Sequence, residues 1–338
     1  MRRNGKTITI QSVAKAAGVS VSTVSRVLNG KADVAADTVE KVEKVIQELG
    51  YVSSLAARSL RSHRTNVIGM VIPDVASPYC VEIMRGVNRA IASIHFDLII
   101  YTNCNSYRVN AAEQERSFVA LLNGGITDGV VVVTPDATDF PSHAPVAIID
   151  PNQESPQLPS VLSTNYEGAL AVMEYLVGLG HRKIGLITGR MELISSNQRL
   201  QGYKDGLAAA GIPLDESLIE FGNYTQEYGA VCAKNLFALE NRPTAIFASN
   251  DESAMGVYQA AREAGIRIPA DLSVVGFDNL RESAFLAPAL TTVDQNLDEM
   301  GKIATDMIVK LVNGERLPYT LHTIETRLVI RDSCAPPA

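Results

Sequence analysis

Apolar residues recur along this chain with two periods, and the change falls near residue 66. In the first fifty residues the period is helical. Ile10, Val13, Ala14 and Ala17 share one face of a short helix that Thr9 caps and Gly18 ends. Only Val19 separates Gly18 from Ser20, a second N-cap, and Val21 to Asn29 predicts another helix. Its Val24, Val27 and Leu28 point inward, while Ser22, Thr23, Ser25 and Arg26 occupy polar faces. A third helix is predicted over Asp37 to Leu49, from Val39, Val42, Val45, Ile46 and Leu49, with Gly50 as its stop. A short turn containing glycine makes the first two helices cross steeply, so the second projects into a DNA major groove. The serine-capped basic stretch from Ser53 to Ser62 is too short to be a stable helix alone, and DNA is the candidate support.

From Val67 the pattern becomes short continuous apolar runs alternating with amphipathic stretches. Strands are predicted at Val67 to Ile72, Leu98 to Thr102, Gly129 to Val133, Val146 to Ile149, Ile184 to Thr188, Ala245 to Ala248 and Ser273 to Phe277. Such runs belong to parallel sheets covered by helices on both faces. About six βα units make one long sheet, or, as favoured here, two doubly wound α/β lobes. Open parallel sheets bind ligands beyond the carboxyl ends of their strands. Polar residues stand there in register: Asp74, Asn103, Asp150, Ser195 to Arg199, Asn250 with Asp251, Asp278, and Gln295 after Leu290 to Val293. Arg199 and Asp278 form the strongest pair, since a fork of donors and an acceptor carboxylate together bracket a vicinal diol.

Charge sharpens this division. The overall charge is -7, yet residues 1 to 66 carry eleven Lys and Arg against five Asp and Glu, and the remainder carries 19 against 32. A small basic unit joined to a large acidic one fits nucleic acid at one end and a different ligand at the other. The N-terminal residues contain no secretory pattern and no apolar run reaches the ~18 residues of a membrane span, so a cytoplasmic protein without membrane contact is expected. Cys80, Cys104, Cys232 and Cys334 have no metal-binding spacing and read as packing residues. No phosphate loop, nucleophile elbow or metalloprotease motif is present, so neither an enzyme nor a cofactor or metal is expected. His181 precedes Arg182 and Lys183 at a helix-to-strand turn, where it is expected to satisfy carbonyls at the helix end.

The run from Ile10 to Gly30, IQSVAKAAGVSVSTVSRVLNG, resembles the headpiece of the LacI/GalR family of bacterial transcriptional regulators. Ala57, Arg58, Ser59 and Leu60 are similar to the hinge helix of that family, whose leucine wedges into the operator minor groove. The resemblance implies a type I periplasmic-binding-protein fold with three crossings, near Ser163 to Tyr166, Asp294 to Asn296 and Glu325 to Arg327. It divides the chain into a headpiece (1–52), hinge and linker (53–66), an N-terminal lobe (67–164 and 296–325) and a C-terminal lobe (165–295 and 326–338). DNA contacts are expected from Thr9, Ser20, Val21, Ser22, Thr23, Ser25, Arg26 and Asn29, with Arg58 and Leu60 from the hinge. Val21 and Ser22 hold the family's base-reading positions with smaller side chains than is common there. Ala35 replaces a usual serine cap, and the proline after the Tyr51 position is missing.

Residues 197–202 (NQRLQG) and 276–279 (GFDN) match the family's effector-contacting motifs, and Tyr79, Cys80 and Tyr224 join the expected cleft residues. Purine-responsive relatives sandwich a base between aromatic rings, whereas here Cys80 and Pro151 hold two of the three positions and only Tyr224 remains. The expected function is a repressor that binds a pseudo-palindromic double-stranded operator as a homodimer. Its effector is expected to be a mono- or disaccharide. A purine- or nucleoside-responsive regulator is the alternative, followed by a solute-binding protein, which needs a signal peptide and lacks the headpiece.

Overall fold

The structure, a computed structural model, describes residues 8–28, 33–51, 64–102 and 110–337, and the chain divides into two compact units, 1–65 and 66–338. In the first unit, α1 (Ile10–Ala17) opens on a reciprocal cap: the Ser12 amide donates to Thr9 Oγ1 at 3.4 Å and the Thr9 amide to Ser12 Oγ at 3.3 Å. Gly18, at φ 63°, ends it in the left-handed region. Ser20 then caps α2 (Val21–Leu28) by accepting from the Thr23 amide at 3.0 Å. α3 (Ala36–Leu49) starts one residue before its predicted position, behind Ala35, whose side chain makes no capping bond. Val13, Ala17, Val24 and Val42 are fully buried and form the centre of this three-helix core. Asn29, Arg58 and Leu60 lie outside the described residues.

The second unit holds two lobes. The first is built on β1 (Val67–Ile72), β2 (Asp97–Thr102), β3 (Gly129–Val133), β4 (Val146–Ile149), β5 (Ser160–Ser163) and, late in the chain, β11 (Leu321–Ile324). They form one parallel sheet in the order β11-β5-β4-β3-β1-β2. Alternation along β1 sends Ile68, Met70 and Ile72 toward α4 (Pro78–Ala92) and α10 (Leu297–Val312), and Val71 toward α5 (Ala111–Asn123). α4 and α10 touch backbone to backbone, since a Cβ on Gly86 would stand 1.7 Å from the Asp298 carbonyl oxygen.

The second lobe has a parallel sheet ordered β7-β6-β8-β9, from β6 (Ile184–Ile187), β7 (Ile219–Glu220), β8 (Ala245–Ala248) and β9 (Ser273–Val275). α6 (Asn165–Gly178) and α7 (Ile194–Ala209) pack on one face around Tyr203, Phe247 and Phe277. α8 (Gln226–Phe237) and α9 (Asp251–Ala264) cover the other. β10 (Thr292–Asp294) pairs antiparallel with β12 (Arg327–Val329).

The chain passes from one lobe to the other after β5, after β10 and between β11 and β12. Two of these passages are bonded together, the Thr326 amide donating to Thr164 Oγ1 at 2.8 Å, and within the remaining one the Asn296 amide donates to Asp294 Oδ1 at 2.9 Å.

Four differences from the sequence reading have physical causes. The predicted strand over 273–277 stops at Val275, beyond which the Gly276 amide bonds the Thr291 carbonyl and the Asp278 amide that of Val293. The strand predicted to Thr188 ends at Ile187, and Thr188 turns its hydroxyl to the Gly189 carbonyl. β5, β7, β11 and β12 were not predicted as strands, being short or mixed in polarity. His181 serves the helix end through its main chain only, its amide donating to the Leu176 carbonyl at 3.1 Å, while the ring has other partners: Nε2 lies 3.0 Å from the Ala335 carbonyl and Nδ1 2.9 Å from Thr244 Oγ1, tying the C-terminal segment to the second lobe. Burial lowers its pKa, which favours the neutral ring with its proton on Nε2. Among the described residues no helix is long and apolar enough to cross a membrane.

Candidate functional site

Two sites take shape, one in each unit. On the headpiece, Val21, Ser22 and Arg26 are exposed along α2, with Thr23 and Ser25 half-buried beside them. Ser20 gathers the polar end of the helix, its Oγ 2.6 Å from Ser22 Oγ and 2.8 Å from Thr23 Oγ1. Thr9, also exposed, occupies the N-terminus of α1. Arg26 Nη2 lies 3.1 Å from Asp33 Oδ2.

The second site is a cavity of about 390 Å³ between the lobes. Asp74 and Asp150, which follow β1 and β4, reach it from the first lobe, together with Tyr79 and Cys80 on α4. From the second lobe come Ser195 and Arg199 on α7, Tyr224, Asn250 and Asp278. The strand-end rule therefore brings most of its residues to one place.

Arg199 is the centre of this arrangement and is buried. Its Nε donates to Asn165 Oδ1 at 2.9 Å and its Nη1 to the Ser249 carbonyl at 2.5 Å, while its guanidinium stacks 3.8 Å from the centre of the Phe277 ring. Asp278 Oδ1 lies 3.9 Å away and accepts from Gln295 Nε2 at 2.6 Å. Burial pushes the Asp278 carboxyl well above its ordinary pKa, and Arg199 pulls against that rise. Asp150 is raised for the same first reason, eased by Arg199 and by Ser195, whose hydroxyl donates to it at 3.1 Å.

Tyr224 owes its place to a glycine. A Cβ on Gly189 would lie 1.9 Å from the Tyr224 ring, so only glycine admits the ring there. Its hydroxyl is 2.6 Å from Ser196 Oγ, and its carbonyl accepts from Asn250 Nδ2 at 3.0 Å. Tyr79 Oη stands 3.3 Å from Thr134 Oγ1. The Cys80 thiol is pushed up to about 12 by burial, which leaves it a neutral wall.

Two expected residues stand behind the cavity. Gln295 meets no ligand space; it accepts from Ser163 at 2.6 Å and positions Asp278. Asp251 is fully buried and turned away, accepting from the Leu280 amide at 2.8 Å, from Thr292 Oγ1 at 2.5 Å and from the Ser283 hydroxyl. It holds the turn after Asp278 to the start of α9. Asn103 lies outside the described residues.

Sequence reasoning passed over Asn165, Phe277 and Glu252. Phe277 and Asn165 were findable as neighbours of Asp278 and of the first crossing. Glu252 lies one residue beyond the marked pair Asn250 and Asp251, and it accepts from Ser77 of the other lobe at 3.3 Å. Its pKa is raised to about 7, first by burial and then by Asp74, Glu227 and Glu282. Arg190 and Asp136 also bridge the lobes, at 2.7 Å.

A helix-turn-helix unit and a two-lobed receptor with a polar interlobe cavity define a ligand-responsive DNA-binding regulator. Residues 9–54 match the bacterial regulatory proteins of the lacI family, and residues 173–334 a periplasmic binding protein-like domain. The chain is 35% identical to the HTH-type transcriptional repressor PurR of Vibrio atlanticus, over 93% of this chain and 96% of that protein. It is 31% identical to catabolite control protein A of Priestia megaterium, over 96% and 99%. Among solved structures it is similar to the lac repressor dimer bound to operator and the anti-inducer ONPF, with a TM-score of 0.82 and 26% identity over 98% of this chain and 100% of that one. The CelR–cellobiose complex gives a TM-score of 0.72 and 29% identity, over 96% and 99%. The chain belongs to the LacI family of bacterial transcriptional regulators.

Proposed function

We propose that this regulator is a cytoplasmic repressor that binds a pseudo-palindromic operator as a homodimer and takes a neutral mono- or disaccharide into the interlobe cavity as inducer. A two-fold dimer presents two α2 helices to two half-sites, so protein and DNA axes coincide. In this reading Thr9, Ser20 to Thr23, Ser25, Arg26 and Asn29 contact DNA, Arg26 reads a guanine, and Arg58 and Leu60 serve the operator centre. The lobes, 67–164 with 296–325 and 165–295 with 326–338, move as two bodies about the three crossings, and effector selects one of their orientations.

The cavity lining carries the effector assignment. Two aromatic rings, Tyr224 from the second lobe and Tyr79 from the first, line it together with Asp74, Asp150, Arg199, Asn250 and Asp278. A sugar lays its C–H face on such a ring and gives and accepts hydrogen bonds around its rim. At two of the three positions where purine-responsive relatives hold aromatic rings this chain has Cys80, a small thiol wall, and Pro151, buried outside the lining, which favours a sugar over a flat purine. The carboxylates outnumber Arg190 and Arg199, and both arginines already hold partners, so a phosphorylated sugar meets repulsion. Calorimetry of the full chain against sugar and purine panels tests the reading. Micromolar binding of a neutral sugar that Tyr224→Ala weakens at least tenfold supports it; micromolar binding of a purine with no sugar binding overturns it.

A further inference from the structure

The Arg26–Asp33 contact has no evident structural purpose. Both side chains are more than half exposed, at 61% and 56%, and an exposed pair of this kind adds little to folding stability. Asp33 also stands at a disadvantage for the family's function, because a carboxylate beside the DNA-facing helix repels phosphates whatever their sequence. What the contact does accomplish is geometric. Asp33 Oδ2 lies 3.1 Å from Arg26 Nη2, so the carboxylate restricts where that end of the guanidinium goes while most of the Arg26 side chain stays exposed. A side chain whose freedom is already restricted loses less of it when its guanidinium meets guanine O6 and N7.

We propose that Asp33 is a positioning residue for operator recognition. It holds Arg26 ready for its guanine, and its charge weakens binding to every duplex. The first effect raises discrimination, and the second lowers affinity for all duplexes alike. The proposal rests on the reading that Arg26 reads a base, so the experiment scores the two separately.

Full-length wild type, Arg26→Ala, Asp33→Ala, Asp33→Asn and the double alanine variant are titrated against two duplexes of equal length. One is selected by the wild type from a random pool and the other is its scramble. Asp33→Ala is expected to bind the scramble about threefold tighter, through loss of one repelling charge. Its ratio of selected to scrambled affinity is expected to fall about tenfold, with preference relaxed at one base position. Asp33→Asn keeps an acceptor without the charge and is expected to fall between Asp33→Ala and wild type. In the Arg26→Ala background, removing Asp33 should change both duplexes by one common factor. A merely structural role lowers both affinities in either background, and a purely electrostatic role raises both equally; each result overturns the proposal. An unchanged ratio for Asp33→Ala, with a lowered ratio for Arg26→Ala, overturns it while leaving the base-reading assignment standing. An unchanged ratio for Arg26→Ala alone removes that assignment, and the proposal with it. Equal thermal midpoints across the set establish that binding, not folding, is being read.

Discussion

The two sites of this chain are made in opposite ways. The α2 face is local: Ser20, Ser22 and Thr23 bond one another within four residues, Arg26 finds Asp33 seven residues on, and all but Thr23 are exposed. The interlobe cavity is assembled from distant segments. Arg199 alone draws on Asn165, Ser249, Phe277 and Asp278, none closer than 34 positions away in the chain, and is almost wholly buried. A local, exposed face tolerates substitution at little cost to folding, so its sequence is free to follow its DNA. A buried, long-range network ties binding to folding, so the same side chains serve both.

This contrast is attacked most strongly at Arg199. Arg199→Ala leaves Asp278 buried without its cation and strips Asn165 and the Ser249 carbonyl of their donor. The expected cost is about 3 kcal/mol of stability, read as a lower denaturation midpoint of the second lobe, with effector binding abolished. Operator affinity without effector should stay within about twofold of wild type, because the headpiece residues are untouched. Loss of DNA binding with effector response intact would contradict the division of labour.

Gly189→Ala tests the same network by steric means. The added Cβ cannot coexist with the Tyr224 ring, and displacing that ring should cost about 2 kcal/mol. Effector affinity, measured by calorimetry, should fall at least tenfold, while the operator complex is unchanged.

Legibility in the sequence follows the same contrast. Caps, glycine stops and helical periodicity place both ends of α1 and α3 and the start of α2 to within a residue, because each signal lies in or beside the element it bounds. Among the sheets, β1, β3, β4 and β8 are continuous apolar runs and were placed residue for residue. β11 alternates in exposure, and β12 and β7 have three and two residues, so no run marks them. For the cavity, the strand-end rule found Asp74, Asp150, Asn250 and Asp278 but could not separate Asp278 from Asp251. Both follow strands, and only the fold shows that the three partners of Asp251 all lie on the side away from the cavity. Glu252 was invisible for a related reason: its environment comes from Ser77 and Asp74 across the cleft.

Glu252 gives the contrast a pH dependence. Its carboxyl titrates near 4.5 when unfolded and at about 7 when folded, in the company of Asp74, Glu227, Glu282 and the Ser77 hydroxyl. The folded chain therefore binds the proton more tightly. No penalty exists below about pH 4.5, and stability is lost as pH rises from there through 7. With part of the group open to solvent, the loss is about 1.5 kcal/mol, less than the full shift implies. Glu252→Gln should flatten that portion of the stability–pH curve and raise the melting temperature at pH 8, where calorimetric scans read it. A curve identical to wild type between pH 5 and 8 would place the titration elsewhere.

The smallest expected effect lies at the cap of α2. Ser20 accepts from the Thr23 amide at 3.0 Å, and Ser20→Ala leaves that donor to water at a cost of about 1 kcal/mol. Because the capping bond is local, the loss should stay in the headpiece. Hydrogen exchange on the full chain should show α2 amides exchanging about fivefold faster, with Arg199-centred amides of α7 unchanged. Ser20 also bonds the hydroxyls of Ser22 and Thr23, so its removal frees both for other partners. If the Ser20 hydroxyl matters only as a cap, Ser20→Asp, an equally good cap, restores protection at α2 but weakens binding to every duplex through its charge. If Ser20→Asp fails to restore protection, the stability of α2 derives from the Val24 and Val27 contacts alone, and the local face is less independent of its core than the structure implies.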